Sequence, residues 1–175
     1  MIRAWLLTWT TYGTWLPGDE RGFVTHVRDT DGKQVIHNEY GTAYDANLPG
    51  LQRYARSIMR QQPVWLTKEQ AVAVAEQFRE TATYCEWGLL ALAVMSNHAH
   101  LVVTAPEDVP KDKLLGDFKA YGTRCLNRGF GRQIWWTERG SARLLPDDDA
   151  IERAVQYVLN QEKSLVVWIA GAAGR

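Results

Sequence analysis

Two histidines separated by one alanine, His98-Ala99-His100, are the residues in this sequence whose types and spacing best suit chemistry. Along an extended strand, side chains alternate between faces. His98 and His100 therefore project together, about one pleat apart, while Ala99 enters the opposite layer. Two imidazoles so placed can share one divalent ion, and a bound ion can polarise a phosphate oxygen. The plainer reading is two histidines making ordinary hydrogen bonds, and His-x-His alone favours it. The position just after a continuously apolar strand and a tight Ser96-Asn97 break shifts the reading towards a metal pair. The second ingredient is a tyrosine. A phenol with a pKa of roughly 10 is a poor nucleophile at neutral pH. It becomes serviceable where an ion activates a phosphate and a covalent intermediate divides the reaction into two steps. Seven tyrosines are present, so composition cannot choose one. Tyr121, on a helical stripe, reads by itself as a core residue with its hydroxyl at the edge.

These residues need a scaffold to hold them. Ala4 to Thr11 is β-branched and aromatic and predicts a first strand. Residues 13–63 then lack periodicity and read as a long inserted excursion, with one short hairpin around Asp31-Gly32 flanked by Val27 and Val35-Ile36. Thr67 and Gln70 form a capping-box pattern before an apolar stripe of Val72, Val74, Ala75, Phe78, Ala82 and Cys85 that ends at Gly88. Leu89 to Met95 predicts a strand covered on both faces, and His98 to Ala105 a second strand antiparallel to it. Lys111 to Arg128 is the next helix, with Leu114, Leu115, Phe118, Tyr121 and Cys125 on one side and Gly129 closing it. Ile134 to Thr137 is assigned the last strand. Asp147 or Asp148 caps a final helix, within a C-terminal helical extension over 147–173. Val166 to Ile169 fits no single element. The order strand, helix, strand, strand, helix, strand is the split βαβ arrangement. We therefore expect one α+β domain over 1–175, ferredoxin-like or RRM-like, with an antiparallel sheet covered on one face by two helices.

Composition narrows the class of partner. Of the 175 residues, 46% are apolar and 23% charged, ordinary globular usage that argues against wholesale disorder. A net charge of zero argues against binding nucleic acid by bulk electrostatics. Its distribution is uneven, however. From Lys111 to Arg143 eight basic residues stand against three acidic ones, among them Lys119, Arg124, Arg128 and Arg132, which are candidates for DNA phosphates. A solvated helix surface would look similar. Cys85 and Cys125 have no metal-ligand spacing and suit a reducing compartment. No secretory cleavage pattern or membrane-length apolar run is present. The expectation is a cytoplasmic protein, nucleoid-associated if it acts on DNA.

MSNHAHLVV (95–103), followed about twenty residues later by DFKAYGTRCLN (117–127), resembles the single-tyrosine HUH transposases of the smallest insertion sequences and their relatives, the REP-associated tyrosine transposases. LTWTTYGTWLPGDERG (7–22) is also similar to the start of such proteins. The resemblance implies a metal site on His98 and His100 filled by Mg²⁺ or Mn²⁺, with Tyr121 near it as the nucleophile; Tyr157, on the final helix, is the next candidate. It further implies cleavage of single-stranded DNA beside a hairpin through a 5′-phosphotyrosine, followed by rejoining. No nucleotide cofactor is expected, and no phosphate-cradling glycine loop is present. The family often adds a polar ligand one turn after the tyrosine. From Tyr121 that position is Cys125, a soft thiol ill suited to Mg²⁺; Asp117, one turn before, is an alternative ligand or proton acceptor. Many members are dimers that exchange the tyrosine helix and some act as monomers, so a homodimer is one of two expected arrangements.

A competing reading is a binding module. Arg128-Gly129-Phe130-Gly131 matches the first half of an RNA-recognition signature. It fails at Arg132, Gln133 and Ile134, and would leave the histidine pair unexplained. A third reading is a transposase relative that binds DNA without cutting it.

Overall fold

The computed structural model describes residues 1–20, 25–28, 34–37 and 47–171. In chain order the elements are β1 (Ile2–Thr10), β2 (Thr25–Arg28), β3 (Gln34–His37), α1 (Pro49–Ser57), α2 (Lys68–Tyr84), β4 (Gly88–Val94), β5 (His98–Pro106), α3 (Lys111–Phe130), β6 (Ser141–Leu145), α4 (Asp148–Leu159) and β7 (Val166–Ile169). They fall into two compact units, residues 13–63 and residues 1–12 with 64–175. In the smaller unit β2 and β3 pair antiparallel, Val27 opposite Val35; the Asp31-Gly32 turn between them lies outside the described residues. Gly18, at φ +88°, accepts a hydrogen bond from the Leu48 amide just ahead of α1.

The larger unit is a five-stranded antiparallel sheet in the order β6-β1-β5-β4-β7. Its first four strands carry the split βαβ order, as the sequence pattern predicts, and β7 extends the β4 edge. On one face α2 and α3 cover a dry core built from Leu7, Trp9, Leu92, Leu101, Phe78, Phe118 and Trp136, with Ala99 among them. Phe78 meets Trp9 and Phe118 edge to face, a favoured geometry for aromatic quadrupoles. The two helices approach closely at Gly122, where a Cβ would stand 2.9 Å from the Phe78 ring. The predicted capping box at Thr67 and Gln70 starts α2. Strand alternation sends the complementary set, Ala4, Leu6, Ala91, Ala93, Met95, Val102 and Leu145, to the other face, where Ala154 and Val158 of α4 cover it.

Two assignments change. Ile134 to Thr137 is not the last strand. Trp135 and Trp136 are buried there, with only a single bridge from Trp136 to Thr11. The paired strand is Ser141–Leu145, entered through Gly140, where a Cβ would press to 3.0 Å on the Thr8 carbonyl oxygen. Two adjacent indoles committed to the core leave a local pattern that mimics a strand. The 147–173 segment is also not wholly helical. Asp147 caps α4 as expected, its carboxylate accepting from the Ala150 amide, but the helix stops at Leu159 and Val166–Ile169 pairs with β4. Arg128-Gly129-Phe130-Gly131 ends α3 rather than lying in a strand, Gly131 serving as C-cap at φ +91°, so the signature of a base-stacking sheet is not displayed there. Among the described residues no helix is long and apolar enough to cross a membrane.

Candidate active site

β5 delivers the histidine pair as the alternation requires. Ala99 is in the α2/α3 core, and His98 and His100 face the other way, their ring centroids 4.9 Å apart and nearly perpendicular. His100 is 5% exposed. Its Nδ1 lies 2.7 Å from the hydroxyl of Thr8, the residue directly opposite on β1. His98 Nδ1 donates to Asn97 Oδ1 at 2.6 Å, since a carboxamide oxygen only accepts. In the neutral form of that ring the lone pair is therefore on Nε2.

Burial, with the nearby His98 adding to it, lowers the His100 pKa from 6.5 to about 4. The ring is therefore neutral at physiological pH, the form that ligates metals. A consequence follows for the metal-free protein. Folded His100 takes up its proton only near pH 4, whereas the unfolded imidazole does so near ~6.5. Between these values the unfolded chain binds more protons, so stability is fully present above the upper value and lost as pH falls towards the lower. Unfolding free energy in chelator should rise by up to about 3 kcal/mol across that window. Denaturant titrations of wild type and His100→Asn would check this, the variant giving the flatter profile; equal profiles would refute it.

The tyrosine beside the pair is Tyr157. Its ring meets the His100 ring edge-on with centroids 5.2 Å apart, and the residue is 49% exposed. α4 brings it there by seating Ala154 and Val158 on the sheet. Tyr121 is not brought to the histidines. It lies on α3, which packs on the opposite face, with its ring 6.0 Å from that of Tyr84 and the Arg124 guanidinium 4.5 Å above it. The expectation that Tyr121 adjoins His98 and His100 is thus corrected by strand alternation: the layer that takes Ala99 also takes α3.

The other candidates share the Tyr121 side. The Cys125 thiol lies 3.6 Å from the Ala73 carbonyl oxygen between α3 and α2, and burial raises its pKa. Asp117 forms an ion pair with Lys113 at 2.5 Å, one turn away on α3. Neither is placed to complete a site with the histidines. Lys119 donates to the carbonyl oxygens of Thr137 and Glu138 at 2.5 and 2.7 Å and is partly buried, which lowers its pKa. It fastens the segment before β6 rather than standing open for phosphate. Arg124 is stacked on Tyr121, and Arg128 and Arg132 are exposed around the end of α3.

Sequence reasoning passed over Gln161. It follows Tyr157 by four residues, and its carboxamide nitrogen donates to the Tyr157 carbonyl oxygen at 2.9 Å. The interval Tyr157-x-x-x-Gln161 was the available signal, since a polar side chain follows this tyrosine by one turn where the thiol of Cys125 follows Tyr121. Among the described residues no group of three or more His, Cys, Asp or Glu gathers as a ready metal cage. Two imidazoles on one face are nevertheless donors that a divalent ion accepts, and Gln161 carries a carboxamide oxygen one helical turn after Tyr157.

No curated protein matches the sequence. Among solved structures, the fold is similar to a REP-associated tyrosine transposase bound to a REP hairpin, at 11% identity and TM-score 0.51, over 90% of this chain and 64% of that one. The chain thus spans less than two thirds of that protein's length. A Deinococcus radiodurans R1 protein solved as a candidate transposase is similar at 16% identity and TM-score 0.49, over 92% of both chains. Residues 56–161, more than half of the chain and inclusive of the histidine pair, α3 and α4, match the family described as IS200-like transposases, and the chain belongs to that family.

Proposed function

We propose that this transposase is a divalent-metal-dependent single-stranded DNA endonuclease and strand transferase acting beside hairpins, with Tyr157 as its nucleophile. The observation that carries the reading is the Tyr157 ring packed against buried, neutral His100 on the face the histidine pair shares. His98 and His100 would hold Mg²⁺ or Mn²⁺, with Gln161 as a further oxygen donor, a harder ligand than the thiol of Cys125. The ion, when bound, supplies Lewis-acid stabilisation of charge on a non-bridging oxygen of the scissile phosphate. The chain's residues do the rest. The Tyr157 oxygen attacks phosphorus in line, and its proton passes by way of solvent to the departing oxygen. The bond from phosphorus to the 3′ oxygen breaks, and that oxygen leaves as a 3′-hydroxyl. Attack by another 3′-hydroxyl reverses the step and joins new ends. Phosphodiester energy is conserved in the phosphotyrosine, so no nucleotide cofactor enters.

Hairpin DNA is carried over from the REP hairpin held by the protein of similar fold. Arg143 stands opposite Leu6 on β6 and therefore shares the histidine face, where a cation can meet the DNA backbone. One chain supplies the whole constellation. α4 is anchored ahead of the tyrosine by Ala154 and behind it by β7, which pairs with β4. The reading is therefore a site complete in cis, and exchange of the tyrosine helix within a homodimer is not needed. Labelled single strands from the gene's own flanks, with and without their hairpin, test this. Cutting should require Mn²⁺ or Mg²⁺, stop in EDTA and fall to background in His100→Ala. Full activity in excess EDTA would end the metal reading. Hairpin binding without cutting under either ion would favour a relative that has lost catalysis.

A further inference from the structure

The imidazole of His100 has two nitrogens, and only one can face a ligand. Thr8 and His100 are directly opposed on β1 and β5, where cross-strand side chains approach most closely, and the Thr8 hydroxyl sits 2.7 Å from Nδ1. The ring is buried, with His98 and Tyr157 against its faces and edges, so it cannot turn to water to satisfy a displaced nitrogen. Thr8 stands on the interior strand β1, paired on both sides by β5 and β6, which gives the hydroxyl a fixed position.

We propose that Thr8 is a positioning residue: it accepts a hydrogen bond from His100 Nδ1–H, locks that tautomer, and so presents Nε2 as the lone pair for a divalent cation. The proposal rests on the metal-binding reading above but makes a claim of its own about the metal-free ring. Hydrogen bonds to the far nitrogen of a ligating histidine fix its tautomer and orientation, and their loss typically weakens metal binding by roughly 10- to 100-fold. Asn97 plays the corresponding part for His98 through a different chemistry, a carboxamide oxygen that can only accept, so the two rings are oriented independently.

The test uses the full chain with ¹⁵N-labelled histidine and two variants. Thr8→Val removes the hydroxyl at nearly constant volume and suits a strand; Thr8→Ser keeps it. In chelator, long-range ¹⁵N–¹H spectra of wild type should show His100 protonated at Nδ1 and bare at Nε2. Thr8→Val should mix or reverse the tautomers, and Thr8→Ser should restore them. Calorimetric titration with Mn²⁺ should show affinity falling roughly 10- to 100-fold in Thr8→Val and within a few-fold of wild type in Thr8→Ser. A wild-type ring protonated at Nε2, or a Thr8→Val protein with unchanged tautomer and Mn²⁺ affinity, would overturn the proposal. If the wild type shows the expected tautomer and its dependence on Thr8, yet Mn²⁺ binds no more tightly than to His100→Ala, the tautomer lock stands and the metal reading is what fails.

Discussion

Tyr157→Phe should reduce cleavage of a hairpin-flanked single strand by roughly 10³-fold or more, the scale seen when a covalent nucleophile is removed. One oxygen is lost from a half-exposed ring, and α4 keeps the seat made by Ala154 and Val158. Stability and DNA binding should therefore survive. Tyr121→Phe should leave cleavage near the wild-type rate, because that ring lies with Tyr84 and Arg124 beyond the sheet. The measurement is a denaturing gel with DNA labelled downstream of the cut. Wild type and Tyr121→Phe should give a protein–DNA band whose modified peptide contains Tyr157, and Tyr157→Phe should give none. A band surviving in Tyr157→Phe and missing in Tyr121→Phe would reverse the assignment.

Mixing two inactive proteins, Tyr157→Phe and His100→Ala, should restore nothing. Were the tyrosine helix exchanged between subunits, a mixed dimer would unite an intact histidine pair from one chain with an intact tyrosine from the other. Here β7 follows α4 after a short connection and is hydrogen-bonded to β4 of its own sheet. The Leu165 amide adds a bond to the Val94 carbonyl oxygen. Lending the helix to a partner would require unzipping that edge strand. The mixture should thus match the sum of two backgrounds at every protein concentration, and specific activity of the wild type should not rise with concentration. Recovery of a substantial fraction of wild-type cutting on mixing would show that the helix is shared.

The sequence told more about strands and helices than about which helix lies over which face. Periodicity predicted β4, β5, α2, α3 and α4 because each buries one stripe or both faces in the core, and burial is what writes a pattern into the chain. The same alternation aimed His98 and His100 together. It could not reveal that α3 takes the Ala99 side, since both α3 and α4 carry an apolar stripe and a tyrosine. The choice of Tyr121 rested on a motif-like run close in sequence, whereas Tyr157 reaches the histidines through three-dimensional packing. The Ile134–Thr137 assignment failed for a related reason: Trp135 and Trp136 are β-prone residues buried without a ladder. β7 is four residues long and pairs only at the sheet edge, which is too little pattern to recognise.

The two faces of the sheet differ in the size of what fills them. Tryptophans and phenylalanines separate α2 and α3 from the strands, whereas Ala4, Ala91, Ala93 and Ala154 lie where α4 meets them. Small side chains let backbones approach closely, so the alanines act as a thin shim that sets the height of Tyr157 above the imidazoles. Ala93 is next to His100 in the β4–β5 register and is fully buried in that layer. Enlarging it would raise the helix and move the Tyr157 ring away from the His100 ring it now meets. The separation of helix from sheet on this face is set by methyl groups, where the other face is spaced by aromatic rings.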